Sequence, residues 1–175
     1  MDSFDLKEIM LRIYPVETEE DLEIVKGLLE EYLASMFELD GPVHIKEVEA
    51  HKHQMNNLDE YFRPPEGCLL VAKYRKASAG CVALRMLSDD TCEMKRLYVR
   101  PKFRGLKIGR NLANTVIAQA RRIGYKHMRI HTISALEQAN WLYRSLGFNE
   151  IDPYEHTPRE DAVFMELELH PVAGQ

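Results

Sequence analysis

The segment from Arg104 to Arg110, Arg-Gly-Leu-Lys-Ile-Gly-Arg, has the residue types of a phosphate-binding turn. It follows a predicted strand and opens a predicted helix, whose first turn has unpaired N–H groups and a partial positive charge that attract anions. Gly105 and Gly109 let a phosphate approach the backbone because they carry no Cβ. The Gly-Lys-Ser/Thr of a Walker A loop and the G-x-G-x-x-G of a dinucleotide-binding turn are both missing, so neither is predicted.

The charge pattern around this segment fits the same interpretation. Residues 95–110 include seven basic side chains and no acid, although the chain of 175 residues has a formal net charge of −5. The acidic balance argues against nucleic-acid binding, and a compact basic stretch suits a small, phosphate-rich ligand. A solvated basic loop is the alternative that composition leaves open.

Composition predicts a single domain over residues 1–175, with a core from about 11 to 169. Apolar residues make up 45% of the chain, but no apolar run reaches the ~18 residues of a membrane span. Acids within the first ten residues argue against a secretory signal, so we expect a cytoplasmic protein with no membrane partner. Three cysteines without C-x-x-C spacing are expected to be reduced and apolar, with a nucleophilic role as the alternative: Cys68, Cys81 and Cys92.

Periodicity predicts the elements that position the basic segment. Strands are predicted at residues 11–15, 68–74, 80–87, 91–99, 127–132, 148–151 and 162–169. Helices are predicted from about Thr18 to Met36, from 47 to 62, from Gly109 to the stop at Gly124, and from 135 to 146. Ser134 and Glu137 form the S-x-x-E pattern of a capping box for the last of these helices.

The order of these elements predicts an α+β (mixed α/β) fold with one mixed sheet in a single domain. Three strands joined by short turns form an antiparallel meander. Strand 91–99, the helix from Gly109 and strand 127–132 then form a β-α-β unit, which requires a parallel pair.

Two segments of the sequence resemble the GNAT acetyltransferases. Residues 93–109 resemble the family's signature strand, loop and helix start, and residues 139–148 resemble its second conserved segment. Arg104 and Gly109 match the family pattern Gln/Arg-x-x-Gly-x-Gly/Ala, whereas Lys107 occupies the middle glycine position. Leu136 stands where the family often has an asparagine that contacts pantetheine. The agreement extends over roughly residues 12–169, and the end of the chain resembles a bacterial branch of unassigned substrate.

The resemblance implies a GNAT-like fold: a central mixed, mostly antiparallel sheet of about seven strands with one splayed parallel pair, flanked by four helices. It also implies acetyl-CoA as co-substrate and no metal. Backbone N–H groups of the signature strand would bind the thioester oxygen. The implied coenzyme-binding residues are Leu97, Tyr98, Val99, Arg104, Gly105, Leu106, Lys107, Ile108, Gly109, Arg110, Asn140 and Tyr143.

The same resemblance implies two catalytic residues. Glu93 matches a position where several members place a glutamate base, although an ion-paired carboxylate, for example with Lys95, is the alternative. Strand alternation predicts that Glu93 shares a face with Lys95, Leu97 and Val99. Tyr143 matches the tyrosine that protonates the CoA sulfur, with a core aromatic residue as the alternative. Trp141 is assigned to packing.

A loop, an acidic stretch and two histidines bear on the acceptor and on a metal. In relatives a loop before the last strand borders the acceptor site, so Tyr154 and His156, with Glu155 between them, are expected to line it, unless they are surface residues. Residues 17–40 contain nine acids and one lysine, which would favour a cationic amine unless they form a solvated helix face. His51 and His53 lie on different faces of a helix and no H-E-x-x-H is present, so no metal site is predicted.

Together these observations predict acetyl transfer from acetyl-CoA to a primary amine of a small molecule, by direct attack in a ternary complex. A non-catalytic acyl-CoA-binding or regulatory module and a protein or peptide N-acetyltransferase are the alternatives. A homodimer is expected by analogy alone.

Overall fold

A computed structural model describes residues 10–40, 45–157 and 159–170. The predicted lack of a signal concerns residues 1–10, nearly all of which lie outside the described residues. The strands are β1 Leu11–Pro15, β2 Cys68–Tyr74, β3 Ala77–Met86, β4 Thr91–Val99, β5 His127–Ile133, β6 Asn149–Glu150 and β7 Ala162–Glu168. The helices are α1 Glu19–Asp40, α2 Ile45–Asn56, α3 Leu58–Tyr61, α4 Ile108–Ile123 and α5 Glu137–Ser145, with a 3-10 turn at Pro101–Phe103.

The seven strands of the described chain form one sheet in the order β1-β2-β3-β4-β5-β7-β6. Neighbouring strands are antiparallel except for β4 and β5, which are parallel as the β-α-β unit requires. Four longer helices, α1, α2, α4 and α5, accompany the sheet. The predicted mixed, mostly antiparallel fold is confirmed.

The parallel pair separates soon after it begins. β4 and β5 pair only from Thr91–His127 to Glu93–Arg129. Beyond that point β4 continues to Val99 and β5 to Ile133 without pairing to each other. The predicted splay is therefore present, and it leaves backbone groups of both strands unpaired along the gap.

A β-bulge interrupts β4 in the same region. Cys81 and Ala83 of β3 are two residues apart, but their partners Tyr98 and Lys95 are three apart, so β4 holds one extra residue. Arg96 lies within the bulge and has a φ of 58°, in the left-handed region. The bulge changes which face of the sheet the following side chains occupy.

The hydrophobic cores on the two faces of the sheet show which face each side chain of β4 occupies. The α4 core contains Cys92 and Met94, and Leu97 and Val99 pack against it. The α1 core, which includes Val25, Leu28 and Leu29, contains Tyr98. Glu93 and Lys95 alternate with Cys92 and Met94 and thus lie opposite Leu97 and Val99. The prediction of one shared face is wrong because the bulge adds a residue.

Helix α4 covers one face of the sheet as its periodicity predicts. Gly124 has a φ of 106° and donates to the carbonyl oxygens of Ala120 and Arg121, so it ends the helix as expected. Burial of the apolar stripe contributes about 25 cal/mol per Å² of apolar surface removed from water. The stripe consists of Leu112, Ala113, Val116, Ile117 and Ala120, all of which are buried.

Two helix predictions need correction. The helix predicted over 47–62 is broken at Asn57, whose side chain donates to the carbonyl oxygen of His53 and so ends α2. The capping box is wrong, because α5 begins at Glu137 after Leu136, which makes no side-chain cap. Ser134 lies before the helix, where its N–H donates to the carbonyl oxygen of Asp161.

The predicted state of the cysteines is confirmed: all three are free and buried. Burial raises the pKa of the Cys68 thiol to about 11 and those of Cys81 and Cys92 to about 12, so none is activated as a nucleophile. Within the described ranges, no helix combines the length and the apolar character that crossing a bilayer requires.

Candidate functional site

The turn between β4 and α4 presents a row of free backbone donors. The six N–H groups of residues 105–110 have no hydrogen-bond partner among the described residues. The first paired N–H of the helix is that of Asn111, which donates to the Lys107 carbonyl oxygen over 3.0 Å. The N–H of Arg104 is paired with Pro101, so the predicted row of donors starts one residue later than expected.

Positive φ angles shape this turn. Gly105 has a φ of 81° and Lys107 a φ of 60°, both in the left-handed region. A lysine there has a strain cost of roughly 1–2 kcal/mol that a glycine avoids, which explains why the family pattern has glycine at this position. Arg104 closes the turn by donating through Nε to the Val99 carbonyl oxygen over 3.2 Å.

These donors face a cleft of about 900 Å³ between the turn and the first half of α5. We call it the amide cleft, and its lining includes Arg104, Gly105, Lys107, Gly109, Arg110, Glu137 and Trp141. Of the predicted coenzyme-binding residues, Leu97, Val99, Ile108 and Asn140 also line it. Leu106 does not, and its side chain is 45% exposed. Basic side chains outnumber the single acid, Glu137, in a lining that suits a phosphorylated ligand.

Trp141 is not a packing residue, contrary to prediction. Its side chain is 66% exposed and borders the amide cleft. The guanidinium of Arg110 lies 6.0 Å from the centre of its ring, and Arg110 also donates to Oγ of Ser145 over 2.7 Å. The spacing on α5 did not reveal this, because a tryptophan is most often buried.

A second cleft, of about 800 Å³, lies where β4 and β5 separate. We call it the splay cleft, and its lining includes Tyr32, Lys95, Arg96, Leu97, His131, Tyr143 and Arg159. Six residues line both clefts: Leu97, Val99, Arg104, Glu137, Gln138 and Ala139. The two clefts therefore meet along the open edge of β4, the segment predicted to hold a thioester. Tyr98 lines only the splay cleft, and its hydroxyl donates to Glu31.

Tyr143 projects from α5 to the splay cleft. It is 7% exposed, packs edge-on to Phe148, and has no hydrogen-bond partner for its hydroxyl among the described residues. Burial, with a smaller contribution from Tyr32, raises the pKa of the Tyr143 hydroxyl above its usual value of 10. A tyrosine hydroxyl carries its proton at neutral pH even at the ordinary pKa, and the raised pKa makes it a weaker acid.

Asn140 uses its amide to hold α5 against β5. Its Nδ2 donates to the Ile133 carbonyl oxygen over 2.8 Å, and its Oδ1 accepts from Thr132 over 3.1 Å. The residue is buried at the wall of the amide cleft. These bonds make Asn140 a positioning residue, and its predicted contact with pantetheine stays a prediction.

Glu93 lies outside the lining of both clefts. Its carboxylate is fully buried, with Oε2 2.5 Å from Nε of Arg85 and 3.6 Å from Nζ of Lys95, while Tyr154 donates to Oε1 over 2.7 Å. Burial raises the pKa of Glu93, but Lys95, Arg85 and Tyr154 outweigh it and hold that pKa below its usual value of 4.5. This geometry favours the ion-paired alternative over a base.

A histidine and a carboxylate meet at the splay cleft instead. Nδ1 of His131 lies 2.7 Å from Oε1 of Glu155, and the imidazole ring stacks on Phe164 with centres 4.5 Å apart. With Nδ1 as donor to Glu155, Nε2 keeps the lone pair of a base. Of these two residues, His131 lines the splay cleft and Glu155 does not. No local sequence pattern pairs His131 with Glu155, because Glu155 lies 24 residues further along the chain, in the loop before β7.

The remaining residues predicted for the acceptor lie mostly outside both clefts. Tyr154 and His156 are not in the lining of either cleft; Tyr154 is committed to Glu93. Of the acids of α1, Glu31 is paired with Arg100, and only Glu38 lines the splay cleft among the side chains that the structure describes. The acidic stretch is therefore mainly a surface face. Within the described ranges, no three His, Cys, Asp or Glu side chains come together as a metal site.

Comparison with known proteins shows which proteins this chain is similar to, independently of the site geometry. The model of the Acetyltransferase (GNAT) family matches residues 27–148. An uncharacterized N-acetyltransferase of Schizosaccharomyces pombe is 37% identical over 166 residues, which cover 94% of this chain and 98% of that protein. N-acetylaspartate synthetase of Mus musculus is 32% identical over 104 residues, which cover 58% of this chain and 35% of that protein.

A solved structure from Salmonella typhimurium, which contains its cofactor acetyl-CoA, shares the fold. The superposition has a TM-score of 0.64 and covers 94% of this chain and 97% of that one, at 20% sequence identity.

Proposed function

Because the chain belongs to the GNAT family of acetyltransferases, we propose that it moves an acetyl group from acetyl-CoA to a primary amine of a small molecule, by direct attack in a ternary complex. The observation that carries this proposal is the row of six free N–H groups at residues 105–110. That row leads into the unpaired edge of β4, where the two clefts meet.

The amide cleft suits the coenzyme in its chemistry. The free N–H groups at the start of α4 bind the diphosphate, and Arg104, Lys107 and Arg110 add positive charge at the same mouth. The pantetheine arm follows the open edge of β4, where N–H groups lack a strand partner. This course brings the thioester to Leu97 and Val99, which line both clefts.

Acyl transfer requires that the thioester oxygen be stabilised as it gains negative charge. Backbone N–H groups of residues 97–99 supply this stabilisation, and one such donor is worth roughly 3 kcal/mol. The bulge at Arg96 sets the direction of these groups, since it shifts the alternation of β4 immediately before Leu97.

Tyr143 protonates the leaving thiolate. Its side chain lines the splay cleft, and its hydroxyl has no hydrogen-bond partner among the described residues and carries a proton at neutral pH. A phenol in this position transfers its proton to the sulfur as the C–S bond breaks, and it recovers a proton from water afterwards.

His131 takes the proton of the attacking amine. It lines the splay cleft, and Glu155 holds its Nδ1 so that Nε2 is available as acceptor. Glu93 was the base expected from resemblance, but it is enclosed by Arg85, Lys95 and Tyr154 and lines neither cleft. We therefore assign Glu93 to positioning: through Arg85, it is linked to Glu155.

A small acceptor is favoured by the splay cleft, which α1 covers with Tyr32, Ser35 and Met36. A half-open cleft of about 800 Å³ has the size of a small-molecule pocket. The name of the mouse relative adds aspartate to the amines that deserve testing, beside polyamines and peptide N-termini.

Calorimetry and a thiol-release assay test this function on the full chain. Acetyl-CoA at millimolar concentration is expected to raise the melting temperature, and at least one amine of a broad panel should release CoA with formation of an N-acetyl product. Binding of acetyl-CoA without release on any amine or peptide would favour a non-catalytic module. Acetylation of peptides alone would identify a protein-modifying enzyme, and absence of any binding would overturn the proposal.

A further inference from the structure

Two adjacent basic residues at the bulge in β4 line the splay cleft. Lys95 and Arg96 belong to the run of residues 94–99, all of which line the cleft along the open edge of β4. Arg96 lies at the extra residue of β4, where its φ is in the left-handed region. A conformation that is unusual for a long side chain, at the point where the clefts meet, indicates a function for Arg96.

The guanidinium of Arg96 has fewer partners than its five N–H groups require. One Nη donates to Oε1 of Gln54, which is neutral. Nε is buried and has no partner among the described residues. Arg96 as a whole is half-buried, and a charge that is largely withdrawn from water is usually paired because desolvation is costly, so its unpaired Nε points to a missing anion.

Glu93 favours the charged form of Arg96 through its charge but forms no ion pair with it. Glu93 is already shared by Arg85, Lys95 and Tyr154. No carboxylate of the described residues forms an ion pair with Arg96. A bound anion is therefore the partner that this guanidinium lacks.

The neighbouring titratable groups respond to the same excess of positive charge. His51 of α2 is buried, and burial together with Arg96 and Lys95 lowers its pKa to about 3. The pKa of Lys95 is lowered by burial and by Arg96 and Arg85, against the opposing effect of Glu93. His51 is thus neutral, with its Nε2 buried and unpaired, and it adds no negative charge.

We propose that the acceptor amine carries a carboxylate, and that Arg96, assisted by Lys95, binds this carboxylate in the splay cleft. The proposal rests on the acetyl transfer proposed above and names the substrate class of that site. The planar fork of a guanidinium matches a carboxylate in a bidentate pair. Arg96 immediately precedes Leu97, so an amine a few bonds from the carboxylate reaches the point where the two clefts meet.

The test compares four amines with the full chain and acetyl-CoA: L-aspartate, its diamide, O-phosphoethanolamine and putrescine. We expect kcat/KM to be highest for aspartate. In Arg96→Gln the ratio of kcat/KM for aspartate to that for the diamide should fall about 30-fold or more, since one partner of a buried charge pair is lost. Arg96→Lys should retain part of that ratio, and the exposed Arg122→Gln is the control.

Two further measurements separate recognition from a structural role and from failure of catalysis. Without ligand, Arg96→Gln should melt no lower than the wild type, because it removes a half-buried charge that forms no ion pair among the described residues. With CoA present, aspartate should raise the melting temperature of the wild type but not of Arg96→Gln.

Each outcome decides something. Aspartate binding that depends on Arg96, without thiol release, would keep the carboxylate site and refute acetyl transfer. Thiol release with putrescine or the diamide, unaffected by Arg96→Gln, would keep the transfer and overturn the carboxylate site. A preference for phosphoethanolamine would replace the carboxylate by a phosphate, and neither binding nor release would refute both proposals.

Discussion

The hydroxyl of Tyr154 donates a 2.7 Å hydrogen bond to Oε1 of Glu93, across 61 residues of sequence. The other oxygen of the same carboxylate meets Arg85 and Lys95, so a fully buried Glu93 joins the loop before β7 to strands β3 and β4. The contact explains why neither residue lines a cleft, although resemblance assigned both to the site. We therefore expect substitution of Glu93 to change the free energy of unfolding more than the catalytic rate.

Glu93→Gln is expected to lower the free energy of unfolding by about 1–3 kcal/mol, because the half-buried Arg85 and Lys95 lose the carboxylate that they share. Urea denaturation measures this change. Glu23→Gln is the matched control: its carboxylate is 70% exposed beside Lys26, so its loss should have no measurable effect. Equal stability of Glu93→Gln and wild type would show that the network contributes nothing.

The contribution of Glu93 should disappear in acid. Its folded pKa is depressed, so its stabilisation is complete above the ordinary value of 4.5 and is lost as the pH falls through the lower folded pKa. The difference in unfolding free energy between wild type and Glu93→Gln should therefore be constant from pH 7 to about 5 and should shrink below 4.5. A difference that persists unchanged at pH 2–3 would contradict the ion-pair explanation.

Tyr143→Phe should lower kcat about 10²-fold or more, because the leaving thiolate loses its proton donor. The affinity for acetyl-CoA, measured by calorimetry, should stay near that of the wild type, since the hydroxyl has no partner among the described residues in the free protein. Unchanged turnover would remove Tyr143 from the mechanism and leave it as a core aromatic residue packed on Phe148.

His131→Asn should lower kcat/KM by about 10²- to 10⁴-fold if His131 takes the proton of the amine. Raising the pH should partly restore the rate of the variant, because more of the amine is then neutral without a base. Glu155→Gln should have a smaller effect, since it only releases Nδ1. His53→Asn, on the exposed side of α2, is the control; equal rates for His131→Asn and the control would rule His131 out.

Gly80→Ala should disturb the bulge from the neighbouring strand. A Cβ at this position would lie 2.3 Å from the backbone oxygen of Tyr98, so β4 must move. We expect a loss of about 1–3 kcal/mol in stability and weaker acetyl-CoA binding. Gly27→Ala, whose Cβ meets nothing within 4 Å in α1, should instead stabilise by about 0.5–1 kcal/mol with unchanged binding. Wild-type coenzyme affinity in Gly80→Ala would separate the bulge from the coenzyme site.

Local patterns were sufficient for most of the elements and for the turn that we propose to bind the coenzyme. The apolar spacing of α4, the stop at Gly124 and the glycine-bearing basic segment all depend on neighbours within a few residues, which is the range that sequence patterns describe. The capping box at Ser134 was wrong because the chain uses the Ser134 N–H to pair with Asp161 before the helix begins.

The sequence by itself determined the class of fold and the turn whose N–H groups we propose as the diphosphate site, because periodicity and backbone chemistry are local. Only the tertiary structure decided which side chains surround the acceptor. One extra residue in β4 shifts the alternation of the strand at Arg96, and packing of a distant loop brings Glu155 to His131 while it encloses Glu93. These contacts depend on strand register and on burial among residues far apart in the chain, and no local pattern encodes either.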